Sequence, residues 1–62
     1  MIEDIKSFFD ELPPGTEVKA DVINMLNKKF KVGKKVVRSI MDEKLKRKIK
    51  TDDGKIRNVW IK

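Results

Sequence analysis

The chain has 62 residues, 42% of them charged, with a formal net charge of +6. It contains neither Cys nor His, which excludes disulfides and the soft ligands of a structural zinc site as staples. A chain this short buries only roughly 60% of the surface it exposes when unfolded, so residues 1–62 are expected to form one domain living on one apolar core.

From the N-terminus, Ile2, Ile5, Phe8, Phe9 and Leu12 recur every three to four residues, with acids and a lysine between them. The spacing predicts an amphipathic helix over about 2–12, with Glu3 and Asp4 favouring its N-terminal dipole end. Pro13, Pro14 and Gly15 end it. A short strand over 17–19, centred on Val18, follows. A second helix is predicted over about 20–29, capped by Thr16 or Asp21, with Val22, Ile23, Leu26 and Phe30 as its apolar stripe. After the break at "KFKVG" a third helix is predicted over 34–44, with Val36, Val37, Ile40, Met41 and Leu45 facing inward. The period then changes from helical to alternating. "KRKIKT" and "KIRNVWIK" flank Asp53-Gly54, a strong hairpin signal because Gly accepts φ > 0, so a hairpin is predicted over 46–61. Val59 and Ile61 share one face of it and Ile56 and Trp60 the other, and Val59 and Ile61 are expected to be the core pair.

Charge is segregated along this order. Residues 1–27 carry a net −4, residues 28–50 a net +9 and residues 51–62 a net +1. An acidic front and a basic middle imply a dipolar molecule with one positive face, the footprint of a binder of nucleic acid or of an acidic partner. The opening "MIEDIK" is acidic and is expected not to be a secretory signal. No apolar run exceeds three residues, so no membrane span is expected and a soluble, cytoplasmic protein is. An enzyme is not expected either. Ser7 and Ser39 have no His to activate them, and the glycines at 15, 33 and 54 form no phosphate-binding loop. Asp52 and Asp53 read as a turn rather than a cation site. No cofactor or metal is implied, and a cleft for a small-molecule substrate is hard to build at this size.

The element order, the stretch "VKADVINMLNKKFKVGKKVVRSIMDEKLKRKIK" and the closing "TDDGKIRNVWIK" resemble the winged helix-turn-helix superfamily over essentially the whole chain. The tail "GKIRNVW" is also similar to terminal winged-helix domains of mobile-element and phage replication helicases and primases. The resemblance implies an α+β, mainly α fold: three helices, a short strand after the first, and a C-terminal β-hairpin wing. It further implies double-stranded DNA binding with the third helix in the major groove, in a transcriptional regulator or as the DNA-tethering module of a replication protein. At that helix the face opposite the apolar stripe carries Lys34, Lys35, Arg38, Ser39 and Asp42. Arg38 suits bidentate reading of guanine, and Ser39 can bond base or phosphate. Lys34 and Lys35 suit phosphate, as do the backbone N–H groups near Gly33. Asp42 could accept from cytosine, but a pair with Arg38 four residues earlier is the expected arrangement. Lys28, Lys29 and Lys31 either touch phosphate or simply solubilise the end of the second helix. The wing tip, Asp52-Asp53-Gly54, would be repelled by phosphates. Wing contact is therefore expected from the arms, through Arg47, Lys48, Lys50, Lys55 and Arg57, and not from a tip reading the minor groove.

The same residues admit other readings. A charged helix face is often only a solvated one. A protein-interaction module docking an acidic partner would use an exposed Phe9 or Trp60 beside the basic patch, and a single-strand binder would stack bases on Trp60. Trp60 otherwise reads as a core or core-edge residue closing the hairpin onto the first helix. Phe8 and Phe9, being adjacent, cannot both enter one narrow stripe, so one is expected to be partly exposed and to offer a dimer contact. One copy has a small DNA footprint, so a homodimer or a fused partner is expected to supply specificity.

Overall fold

Ile5 and Phe9, four residues apart, are both fully buried and anchor a helix, α1 (Ile2–Asp10), in the computed structural model, which describes all of residues 1–62. This helix stops two residues short of its expected end because the residue before a proline is pushed out of the α region, and Leu12 precedes Pro13. Its open carbonyls are met by a cation, since Lys62 Nζ donates to Phe9 O at 3.0 Å and to Asp10 O at 3.3 Å. The chain then reverses through Pro13-Pro14-Gly15-Thr16. Gly15 sits at φ 87° and Thr16 N–H donates to Pro13 O at 3.1 Å, the geometry of a type II turn, which requires a residue tolerant of positive φ at its third position.

The turn delivers β1 (Glu17–Val18), which leads into α2 (Asp21–Phe30), α3 (Lys34–Lys44), β2 (Lys46–Asp52) and β3 (Lys55–Ile61). The strands form one antiparallel sheet in the order β1-β3-β2. This is the α+β arrangement the sequence predicts, with three helices, a short strand after the first and a C-terminal hairpin. The hairpin turns on two residues, Asp53 at φ 51° and Gly54 at φ 74°. Two positive φ values in a two-residue loop match the twist of the flanking strands.

Between α2 and α3 the turn is bought by strain at Lys31, which caps α2 in the left-handed region at φ 54°. Asn27 Nδ2 spans the bend and donates to Val32 O at 2.7 Å. A non-glycine residue there costs roughly 1–2 kcal/mol, partly offset by the extra entropy glycine loses on folding. Lys31→Gly should therefore raise stability by about 0.5–1 kcal/mol, read as a higher urea midpoint. A lower midpoint would contradict the left-handed cap.

The core gathers Ile5, Phe9, Val18, Ile23, Leu26, Val37, Ile40, Met41, Leu45 and Trp60. Two expectations need correcting. Val36 is 40% exposed, because at roughly 100° per residue it lies on the flank of the stripe centred on Val37, Ile40 and Met41. On the hairpin, Val59 is buried as expected, at 4% exposed, but Ile61 is only half-buried, and Trp60 on the other face joins the cluster with the helices. Both faces offered an apolar residue, and the larger side chain, paired with Val18 across the sheet, took the helix side.

Beyond the core the hairpin continues alone, and residues 46–58 are all exposed. The radius of gyration, 11.7 Å, exceeds the roughly 10.6 Å of a compact chain of this length, as a protruding hairpin requires. No helix is long and apolar enough to cross a membrane.

Candidate nucleic-acid interface

Helical geometry divides the outer surface of α3 into two rows. Lys35 and Ser39 point directly away from the core, while Lys34, Arg38 and Asp42, each four residues from the next, lie on the flank nearer the sheet. All five are exposed. The expected Arg38–Asp42 ion pair does not form. Asp42 Oδ1 instead accepts the indole N–H of Trp60 at 2.6 Å, a contact spanning 18 residues of sequence. A largely buried tryptophan must place its N–H on an acceptor, and the exposed carboxylate at the edge of α3 meets that need. Arg38 is thereby released. Its guanidinium lies over the Trp60 ring, 6.0 Å from the centroid, within cation–π range. Trp60 thus fastens the hairpin to α3.

Arg38 stands where two depressions meet. One, of about 300 Å³, is lined by Ala20, Ile23 and Asn24 of the α2 side and by Lys34, Lys35 and Arg38 of α3. The other, of about 630 Å³, runs along β3 past Arg38, Trp60, Asn58 and Arg57. Its size exceeds what the chain length led us to expect, but its lining mixes Lys19, Lys50, Arg38 and Arg57 with Glu17, Asp21 and Asp52. Asn24 was not singled out from the sequence. Its signal is modest, a polar residue four positions after Ala20 on the face of α2 away from Leu26.

Register separates the cations of the hairpin arms, which the sequence grouped together. Residues paired across an antiparallel ladder share a face, and faces alternate along each strand. Arg47 pairs with Trp60, so it lies on the helix side of the sheet. Lys48 pairs with Val59, Lys50 with Arg57 and Asp52 with Lys55, which puts Lys48, Lys50, Lys55 and Arg57 on the opposite side. Lys28 and Lys31 are exposed at the C-terminal end of α2 and in the turn after it.

Few of these charges are neutralised nearby. Apart from the N-terminal ammonium at Asp4, ion pairs involve only Lys44 with Asp10 at 3.0 Å and Lys50 with Glu17 at 3.4 Å. Lys34, Lys35, Arg38 and Arg47 make no ion pair with any carboxylate, so their charge is left unneutralised on α3 and at the base of the hairpin.

The aromatic residues are placed differently from the interaction-module reading. Phe9 is fully buried and Trp60 is 1% exposed. Phe8 is the half-buried member of the Phe8–Phe9 pair, set edge-on to Phe9 with ring centroids 5.3 Å apart. No protein family, characterised protein or solved structure matches this chain.

Proposed function

We propose that this chain is a winged helix-turn-helix module that binds double-stranded DNA, with α3 in the major groove, in a transcriptional regulator or as the DNA-tethering part of a replication protein. The observation that carries the reading is the state of Arg38. Its i+4 carboxylate accepts the indole N–H of Trp60, its guanidinium lies over the indole at 6.0 Å from the centroid, and Lys34 and Lys35 on the same helix have no anionic partner. A planar fork held by its ring contact and not drawn into an ion pair is prepared to bond a guanine edge or a phosphate.

In this reading Lys34, Lys35 and Arg47 attach the protein to phosphates, Ser39 and Asn24 supply short-range donors and acceptors, and Arg38 reads sequence. Lys28 and Lys31 extend the phosphate contacts at one end. Lys48 and Lys55, on the far side of the sheet, contribute long-range attraction, while Lys50 and Arg57, which line the depression that Arg38 also lines, stand nearer the α3 contact.

The rival readings lose the anchors that they require. Docking an acidic partner through Phe9 or Trp60 needs them at the surface, and both are buried. Base stacking on Trp60 meets the same obstacle. The test is fluorescence anisotropy of one labelled sequence as duplex and as single strand, beside a labelled acidic peptide. Preferential duplex binding supports the proposal, whereas preference for the single strand or the peptide contradicts it.

A further inference from the structure

The outer edge of β3 is covered for only part of its length. β1 pairs with it at Ile61 and Trp60 alone, and the chain then leaves the sheet at Lys19 to enter α2. The track that β1 would follow past Val59, Asn58, Arg57 and Ile56 is therefore open. Hydrogen-bond alternation says which backbone groups face it. Around a two-residue loop the flanking Asp52 and Lys55 form a hydrogen-bonded pair. Arg57, Val59 and Ile61 then aim their backbone groups at β2, and Ile56, Asn58 and Trp60 aim theirs outward. Lys62 obeys the same alternation, its N–H donating to Thr16 O at 2.9 Å on the β1 side. Trp60 is met by Val18, but the N–H and C=O of Asn58 and Ile56 have no partner in the chain, since no turn, loop or side-chain hydrogen bond reaches them. Asn58 borders the depression of about 630 Å³, whose other wall is Lys19, Ala20 and Ile23 at the start of α2.

We propose that this edge takes up an extended peptide segment of a partner protein as a further strand in line with β1, antiparallel to β3, with an acidic residue opposite Arg57 and apolar residues opposite Asn58 and Ile56. The inference goes beyond DNA binding and does not rest on it, since it uses the edge of β3 and not the outer row of α3. In strand addition main-chain bonds give affinity and alternate side chains give specificity. Here the two faces differ. The residue opposite Arg57 lies on the face of Lys48, Lys50 and Lys55, and Arg57 makes no ion pair. Glu17, on the β1 track and the same face, reaches across β3 to Lys50 at 3.4 Å, so a carboxylate on this track is within range of the hairpin cations. The residues opposite Asn58 and Ile56 lie on the other face, where Ile56 is 75% exposed and Ile23 and Ala20 border the depression. A nucleic-acid strand is a poor occupant. Glu17, Asp21 and Asp52 line the same depression, and a row of phosphates would meet them, whereas a peptide places one carboxylate where Arg57 stands. A second copy fails by register. Pairing two open β3 edges antiparallel either sets Arg57 or Lys55 against a cation of the other copy, which is destabilising, or runs onto the segment that β1 holds.

The probe is the peptide acetyl-Ser-Thr-Val-Glu-Val-Thr-Ser-amide, titrated into the isotope-labelled full chain and followed by amide chemical shifts and hydrogen exchange. Binding should shift and protect the amides of Ile56 and Asn58 most and leave those of Lys35 and Ser39 in place. N-methylation of both peptide valines removes the N–H groups aimed at β3 and should abolish binding. N-methylation of the peptide glutamate, whose N–H points away from β3, should leave it nearly unchanged. Arg57→Glu, at an exposed position and checked for fold by circular dichroism, should weaken the peptide by about tenfold or more. The peptide with lysine in place of glutamate should bind that variant better than it binds wild type. No shift at Ile56 and Asn58 even at millimolar peptide overturns the edge site. So does equal loss from the two N-methylations, or a lysine peptide that does not prefer the variant. None of these outcomes bears on duplex binding by α3.

Discussion

Trp60→Ala should leave the chain largely unfolded. The side chain is 1% exposed within the core cluster, and truncating a buried tryptophan costs about 3–5 kcal/mol. A domain of this size has roughly 3–9 kcal/mol in total, so the loss removes much or all of it. Urea or thermal unfolding followed by far-UV circular dichroism reads the effect. A variant within about 1 kcal/mol of wild type would mean that Trp60 is not the keystone of the core. The hydrogen bond to Asp42 can be separated from the packing. Asp42→Asn keeps an acceptor for the indole N–H and should be nearly neutral, whereas Asp42→Ala leaves that donor without its partner and should cost about 1–2 kcal/mol. Equal stability of the two variants would show that the 2.6 Å contact contributes nothing.

The second large effect is on binding. Lys35→Glu/Arg38→Glu should lower duplex affinity by more than about 100-fold near 0.1 M salt. Two charge-assisted contacts are lost, each worth about 1.5–3 kcal/mol, and two anions are placed against phosphates. Both residues are exposed, and only the stacking of Arg38 on Trp60 is forfeited, so stability should fall by no more than about 1 kcal/mol. Lys48→Glu/Lys55→Glu makes the same change of charge on the other side of the sheet and should weaken binding far less. Equal losses from the two variants would show that net charge, and not the α3 surface, governs attachment.

How much of this was legible beforehand follows from the range of each interaction. Helix and hairpin positions rest on local pattern, and 34–44 and 46–61 are where alternation and periodicity place them. The end of α1 shifted because the restriction imposed by Pro13 acts on the residue before it. Val59 is buried as the pattern predicts, but both faces of the hairpin carry apolar residues, and only packing against Val18 and α3 brings Trp60, and not Ile61, into the cluster. Arg38 and Asp42 invite pairing at i, i+4, yet Asp42 is taken by a residue 18 positions away. Asking where the indole N–H of the one tryptophan must go would have raised that contact. The arms of the hairpin read as a single basic cluster in sequence. Applying the two-residue alternation across the Asp53-Gly54 turn would have separated Arg47 from Lys48, Lys50, Lys55 and Arg57.

The most direct test of DNA binding through α3 is the salt dependence of wild-type duplex affinity, measured by anisotropy from low to physiological salt. With Lys28, Lys31, Lys34, Lys35 and Arg47 neutralising phosphates, log K should fall against log salt with a slope of about −4 to −5. No duplex binding at low salt, or a slope near zero, would contradict a phosphate-docked α3.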